Sequence, residues 1–165
     1  MKSSLHVLLI AFPALLGGCA GAALEGLSAG TPAGDVRQRA GAPSEVRSLP
    51  DGVKAWYYEN GPLGWTTWRT RFDAQDRLID VEQMLTESNF HKLVVERSRR
   101  EDVLDMFGRP GLISRFPNLQ EEVWTYRYRD VTMEMINDDH FDMRTGVLRY
   151  YTMYRDPAYV SAGHK

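Results

Sequence analysis

The chain has 165 residues, with 20 Lys and Arg against 22 Asp and Glu and a formal net charge of −2. Charges of both signs are interspersed, which excludes the basic stripe that grips nucleic acid, and a single Cys excludes an intrachain disulfide framework. The fold must therefore rest on a core, and 4 Trp, 8 Tyr and 6 Phe supply the material for one.

Residues 1–18 differ in character from the rest. Lys2 is followed by an apolar run from Leu5 to Leu16, broken only by His6. That run is too short to span a bilayer, which needs roughly 20 apolar residues, and fits a secretory signal instead. Small residues follow at once. The tetrad Leu16-Gly17-Gly18-Cys19 resembles the lipobox of bacterial type II signal peptides. The resemblance implies that residues 1–18 are removed and that Cys19 is acylated. Two or more acyl chains hold a protein stably on a bilayer. Ala20, rather than Asp, after Cys19 implies the periplasmic face of the outer membrane. Residues 19–33 are rich in Gly, Ala and Ser and read as a lipidated tether.

An internal repeat follows. Gly34-Asp35-Val36 leads through Ala40 to Gly41-Ala42-Pro43, and Glu101-Asp102-Val103 leads through Phe107 to Gly108-Arg109-Pro110. Asp35 and Asp102 suit a first helical turn, where a carboxylate meets free N–H groups. Val36 with Ala40, and Val103 with Phe107, lie four apart and make an apolar stripe. Gly41 and Gly108 suit helix ends, and the Pro two positions on stops the helix.

Alternating, β-prone stretches come next, at about 44–49, 53–60, 65–72 and 78–85 in the first copy. The second copy has them at about 112–117, 121–129, 131–138 and 147–154. Pro50-Asp51-Gly52 and Asn60-Gly61-Pro62 supply turns, and Phe72-Asp73 and Phe141-Asp142 open hairpins. Between the copies, Phe90, Leu93 and Val94 fall at helical spacing and predict a helix over 87–96.

The expected fold class is α+β: two tandem repeats, each of one or two short helices on a three- to four-stranded antiparallel meander. Repeat 1 covers 34–85, repeat 2 covers 86–156, and 157–165 is a C-terminal tail. Both units resemble the SmpA/OmlA domain of the BamE-like outer-membrane assembly lipoproteins. The resemblance is carried by Gly30-Thr31 through Gly41-Ala42-Pro43, Ser98 through Gly108-Arg109-Pro110, Trp56-Tyr57-Tyr58, Trp124-Thr125-Tyr126 and the two Phe-Asp turns. It implies a non-enzymatic envelope protein that binds another protein, in outer-membrane protein assembly or envelope integrity. Two units in tandem are also similar in plan to the β-lactamase inhibitory proteins, which implies, as the alternative, an inhibitor of a periplasmic enzyme.

Chemistry is sparse in the sequence. Asn137-Asp138-Asp139-His140-Phe141-Asp142 lacks the spacing of a Ca²⁺ loop and a second His for Zn²⁺, and reads as a solvated acidic hairpin turn. His91, His140 and His164 have no neighbours that make a catalytic set. Arg97-Ser98-Arg99-Arg100 reads as the solvated start of a helix. No catalytic residue, metal, cofactor, nucleic acid or small-molecule substrate is expected. The partners expected are the bilayer, through Cys19, and an envelope protein. Candidate partner-binding residues are Trp65, Trp68, Tyr126, Tyr128, Tyr150 and Tyr151, since aromatics beside Arg are the usual make-up of binding hot spots. Trp65 and Trp68 are expected on one strand, facing opposite ways. The Tyr–Arg alternations either stack on a partner or form the polar face of a strand.

Overall fold

The computed structural model describes residues 20–60 and 64–158. The signal segment 1–18, Cys19, the Gly61-Pro62-Leu63 turn and residues 159–165 lie outside the described residues. The fold is α+β with two antiparallel four-stranded sheets and a few short helices. Helices α1 (Ala20–Leu24) and α2 (Ala33–Ala40) precede strands β1 (Glu45–Ser48), β2 (Lys54–Glu59), β3 (Thr67–Phe72) and β4 (Leu78–Gln83). Helices α3 (Glu87–Phe90) and α4 (Arg100–Phe107) precede β5 (Leu112–Phe116), β6 (Glu121–Asp130), β7 (Met133–Asp142) and β8 (Leu148–Arg155). Each sheet is a simple meander, β1-β2-β3-β4 and β5-β6-β7-β8.

The two sheets match in detail. A 3₁₀ turn stands at Pro50–Gly52 and at Pro117–Leu119. The register shifts between Arg71 and Phe72 and again between His140 and Phe141. Gly41 and Gly108 cap α2 and α4 with φ 81 and 75, each sending its N–H to the carbonyl four residues back. Only glycine takes that extended, positive-φ backbone without strain. Asp73 and Asp142 each accept main-chain N–H groups from the hairpin that follows.

Helices cover one face of each sheet. Over the first sheet Leu24 and Val36 pack with Tyr58, Phe72 and Leu78. Over the second, Phe90, Val103 and Phe107 pack with Trp124, Tyr126, Tyr128, Phe141 and Leu148. Burying each such side chain contributes about 1.5–3 kcal/mol.

The segment expected to be a tether is part of the packing. Leu24 is fully buried in the first core, and Gly30 and Thr31 exchange main-chain hydrogen bonds with Leu78. In the second half Glu96 and Ser98 bond Leu148 in the same way, and Phe90 and Leu93 fill the places held by Leu24 and Leu27. The first unit thus begins at α1 rather than at residue 34. Its small residues are there for close approach: a Cβ on Gly21 would stand 2.6 Å from Trp68 Nε1.

The helix expected over 87–96 is a single turn. Thr86 Oγ1 caps it by accepting from the Asn89 N–H at 3.3 Å. The chain then turns out through Glu96 at φ 64 to pair with β8, which ends the helix before Val94.

The sheets meet where the last turn of α4 lies on the first sheet. Alternation along β2 sends Trp56 and Tyr58 to the helices and Tyr57 and Glu59 to the other face, where α4 docks. Tyr57 Oη donates to the Asp105 carbonyl, and Arg47 Nε reaches Asp105 Oδ1 at 2.6 Å. The Arg109 N–H donates to Glu59 Oε1 at 3.0 Å.

Candidate partner-binding surface

The six expected binding aromatics go to different places. Tyr126 and Tyr128 are core residues and not surface ones, 1% and 0% exposed. Their period-two partner is Trp124; Tyr126 packs on Phe90 and Phe107, Tyr128 on Phe90 and Trp124 on Phe141, with ring centroids 5.0–6.1 Å apart. Tyr126 Oη donates to the Gly108 carbonyl at 2.9 Å, and Tyr128 Oη lies 3.3 Å from Met153 Sδ. Their hydroxyls are thus used inside the fold. Burial pushes the Tyr128 phenol up to about 12.

Trp65 does not share a strand with Trp68. It sits in the bend before β3, half-buried, with the Arg129 guanidinium 4.8 Å above its ring. It therefore ties the first sheet's β2–β3 connection to β6 of the second sheet. Trp68 is half-buried under α1. Tyr151 points to the helix side, its hydroxyl 3.2 Å from His91 Nδ1. Of the six, Tyr150 is the most exposed, at 43%.

Tyr150 leads to a surface that the sequence reading missed. The face of the second sheet turned away from α3 and α4 carries Leu112, Phe116, Val123, Ile136, Tyr150 and Tyr154. Leu112, Phe116 and Tyr154 are exposed along with Tyr150. The tyrosines are held from beneath. Tyr150 stacks on His140 with centroids 4.1 Å apart and planes 17° off parallel. Its hydroxyl donates to Glu121 Oε1 at 3.0 Å, and His140 Nδ1 lies 3.1 Å from the same oxygen. Tyr154 Oη donates to Asp138 Oδ2 at 2.7 Å, while Thr125 Oγ1 donates to Asp138 Oδ1 at 2.6 Å. Burial and Asp138 push the Tyr154 phenol up to about 12. Rigid aromatics with their hydroxyls already engaged lose little freedom when a partner covers them. The signal for this surface was the alternation Tyr150-Thr152-Tyr154, which puts the first and third Tyr of β8 on one face. The adjacent pair Tyr150-Tyr151 faces opposite ways.

The acidic run is not a turn. Residues 137–142 lie in β7, with Asp138 and His140 on the outer face and Asn137 and Asp139 fully buried on the inner one. Asn137 Nδ2 donates to Asp139 Oδ1 at 2.8 Å, and Asp139 Oδ2 has no hydrogen-bond partner. Burial is the main cause that pushes the Asp139 carboxyl up to about 7. Among the described residues no group of three His, Cys, Asp or Glu side chains converges to hold a metal ion.

The Arg run at 97–100 is engaged rather than only solvated. Arg99 Nη1 donates to the Thr145 carbonyl at 3.1 Å, and Arg100 Nε lies 2.8 Å from Glu122 Oε1. Glu122 also takes bonds from Arg115 and Trp124. Burial raises this carboxyl, and those partners with Arg100 outweigh burial and hold it below the usual range.

A cleft of about 380 Å³ opens between the sheets, lined among others by Ser44, Glu59, Arg109 and Arg127. Its polar groups are spent on internal pairs: Glu59 on the Arg109 N–H and Arg127 on Asp156 at 2.6 Å. The open face of the second sheet is the better candidate surface. Compared with protein-family models, curated proteins and solved structures, the chain matches none of them. Among the described residues, no helix is long and apolar enough to cross a membrane.

Proposed function

We propose that this protein is a non-enzymatic lipoprotein of the periplasmic face of the outer membrane, anchored through acylated Cys19. On this reading it binds another envelope protein, in outer-membrane protein assembly or envelope integrity. The Leu16-Gly17-Gly18-Cys19 box supports the anchor. The recurrence of two helices and a four-stranded meander, with matching turns and glycine caps, supports a tandem SmpA/OmlA-like plan. The observation that carries binding is the outer face of the second sheet, where Tyr150 and Tyr154 are exposed yet fixed by Glu121, His140 and Asp138.

The test is capture of the C-terminally tagged protein from detergent-solubilised envelopes, beside Cys19→Ala and a Tyr150→Ala/Tyr154→Ala variant. Enrichment of the barrel-assembly machinery by the parent, lost in the double variant, is the expected result. Enrichment that the double variant retains moves binding off this face. Recovery of a single soluble periplasmic enzyme, inhibited by the pure protein, replaces the assembly role with enzyme inhibition.

A further inference from the structure

Three observations meet at one end of the molecule, where β2 leaves for β3 and β6 leaves for β7. The first is that α1, the first described element, adjoins Cys19 in the chain. Ala20 is the first residue of α1, which lies on Trp68 through Gly21 and is pinned by the fully buried Leu24. Adjacent Cα atoms are about 3.8 Å apart, so whatever Cys19 carries is delivered to this end.

The second is the Trp65–Arg129 stack, which holds the bend before β3 against the last residues of β6. The third is Val131. It is 86% exposed and occupies the first position of the two-residue turn between β6 and β7, at φ 48. Glycine or asparagine belongs there, and a β-branched residue is strained. The exposed apolar side chain is unfavourable in water and gains where an apolar medium covers it, and a strained residue kept at a tip marks that tip as a functional candidate.

We propose that this end rests on the lipid bilayer, with Val131 entering the boundary between headgroups and acyl chains. Trp65 and Arg129 then sit at headgroup level, where an amphipathic ring and a cation are both favourable. Acylated Cys19 and the β6–β7 tip together fix one orientation. The strands stand up from the membrane, and the turns at 117–120 and 143–147 point away from it. This inference rests on the lipoprotein reading of Cys19.

The test uses the full-length product, purified from envelopes and weighed to establish lipid on Cys19, then bound to phosphatidylcholine vesicles. A nitrobenzoxadiazole label is placed at Val131→Cys, or at Asn118→Cys at the opposite end of the same sheet; both sites are exposed. The expected result is a blue-shifted emission at 131, quenched by lipids spin-labelled near the headgroup, with water-like emission at 118. Water-like emission at both sites on lipidated, vesicle-bound protein overturns the orientation and leaves the anchor standing. A mass without lipid overturns the anchor and the orientation with it.

Discussion

Tyr57, on the face of the first sheet away from its helices, donates its hydroxyl to the main-chain carbonyl of Asp105 in the last turn of α4. The same carbonyl accepts from Arg69 Nη1 at 3.3 Å. One helix thus serves two sheets: its apolar stripe closes the second core, and its C-terminal end sits on the first.

Coupling through this contact predicts a single unfolding transition for both sheets. Tyr57→Phe should cost about 1 kcal/mol. Arg47→Ala should cost less than about 1 kcal/mol, because the Arg47 and Asp105 side chains are 23% and 37% exposed. Urea unfolding followed by Trp fluorescence should be one sigmoid for the parent and broaden or split for the double variant. A parent that already unfolds in two steps removes the coupling.

The helix-capping glycines predict an ordered pair of effects. At Gly41 an added Cβ meets nothing within 4 Å, so Gly41→Ala costs backbone strain alone, about 1–3 kcal/mol. At Gly108 the same atom also meets Glu59 Oε1 at 3.1 Å and Tyr57 Cδ1 at 3.3 Å. Gly108→Ala should therefore be the more damaging in a thermal melt. The reverse order contradicts the docking of α4 on the first sheet.

Leu24 distinguishes a packed segment from a tether. Leu24→Ala should destabilise by about 2–5 kcal/mol, as for other fully buried leucines. A melt indistinguishable from that of the parent would return the segment to solvent.

Asp139 predicts a pH dependence. Its carboxyl is raised to about 7 in the folded chain and returns to about 3.9 on unfolding. Between those values the folded state holds a proton that the unfolded state has released. Stability from this group therefore falls as pH rises through that window and is level above it. Asp139→Asn should stabilise by about 1–3 kcal/mol at pH 8 and have little effect near pH 4. Melts of both proteins across that range decide it; equal gains at both ends would mean that the carboxyl is not protonated in the fold.

Much of the sheet structure is legible in the sequence because its causes are local. Period-two alternation, the Pro-Asp-Gly and Phe-Asp turns, and the Gly-x-Pro helix stops lie within a few residues of the strands they bound. The assignments of Tyr126 and Tyr128 failed because they depend on which face the helices cover. That choice is settled by Phe90 and Phe107, far along the chain from Tyr126 and Tyr128. The α1 segment was misread because Ala and Gly look like linker until Trp68 and Tyr58 arrive beneath them. The acidic run was misread because Asn and Asp usually turn a chain, and here the ladder of β7 with β6 and β8 overrides that preference. Tyr154 was overlooked although the strand expected at 147–154 already puts it, four residues on, on the same face as Tyr150.

The docking of α1 also has a mechanical side. Tension applied at the N-terminus against a load on the second sheet reaches α1 first. That five-residue helix is held by one fully buried side chain, Leu24, whereas each hairpin beyond it is held by a row of hydrogen bonds. The weakest unit in series yields first, so α1 peels before either sheet ruptures. Residues 20–29 then extend to about 35 Å at most, up to the bonds of Gly30 and Thr31 with Leu78, which single-molecule pulling would register as a short first step. The molecule carries its own shock absorber, one that lengthens without loss of either sheet and re-forms when Leu24 returns to its site.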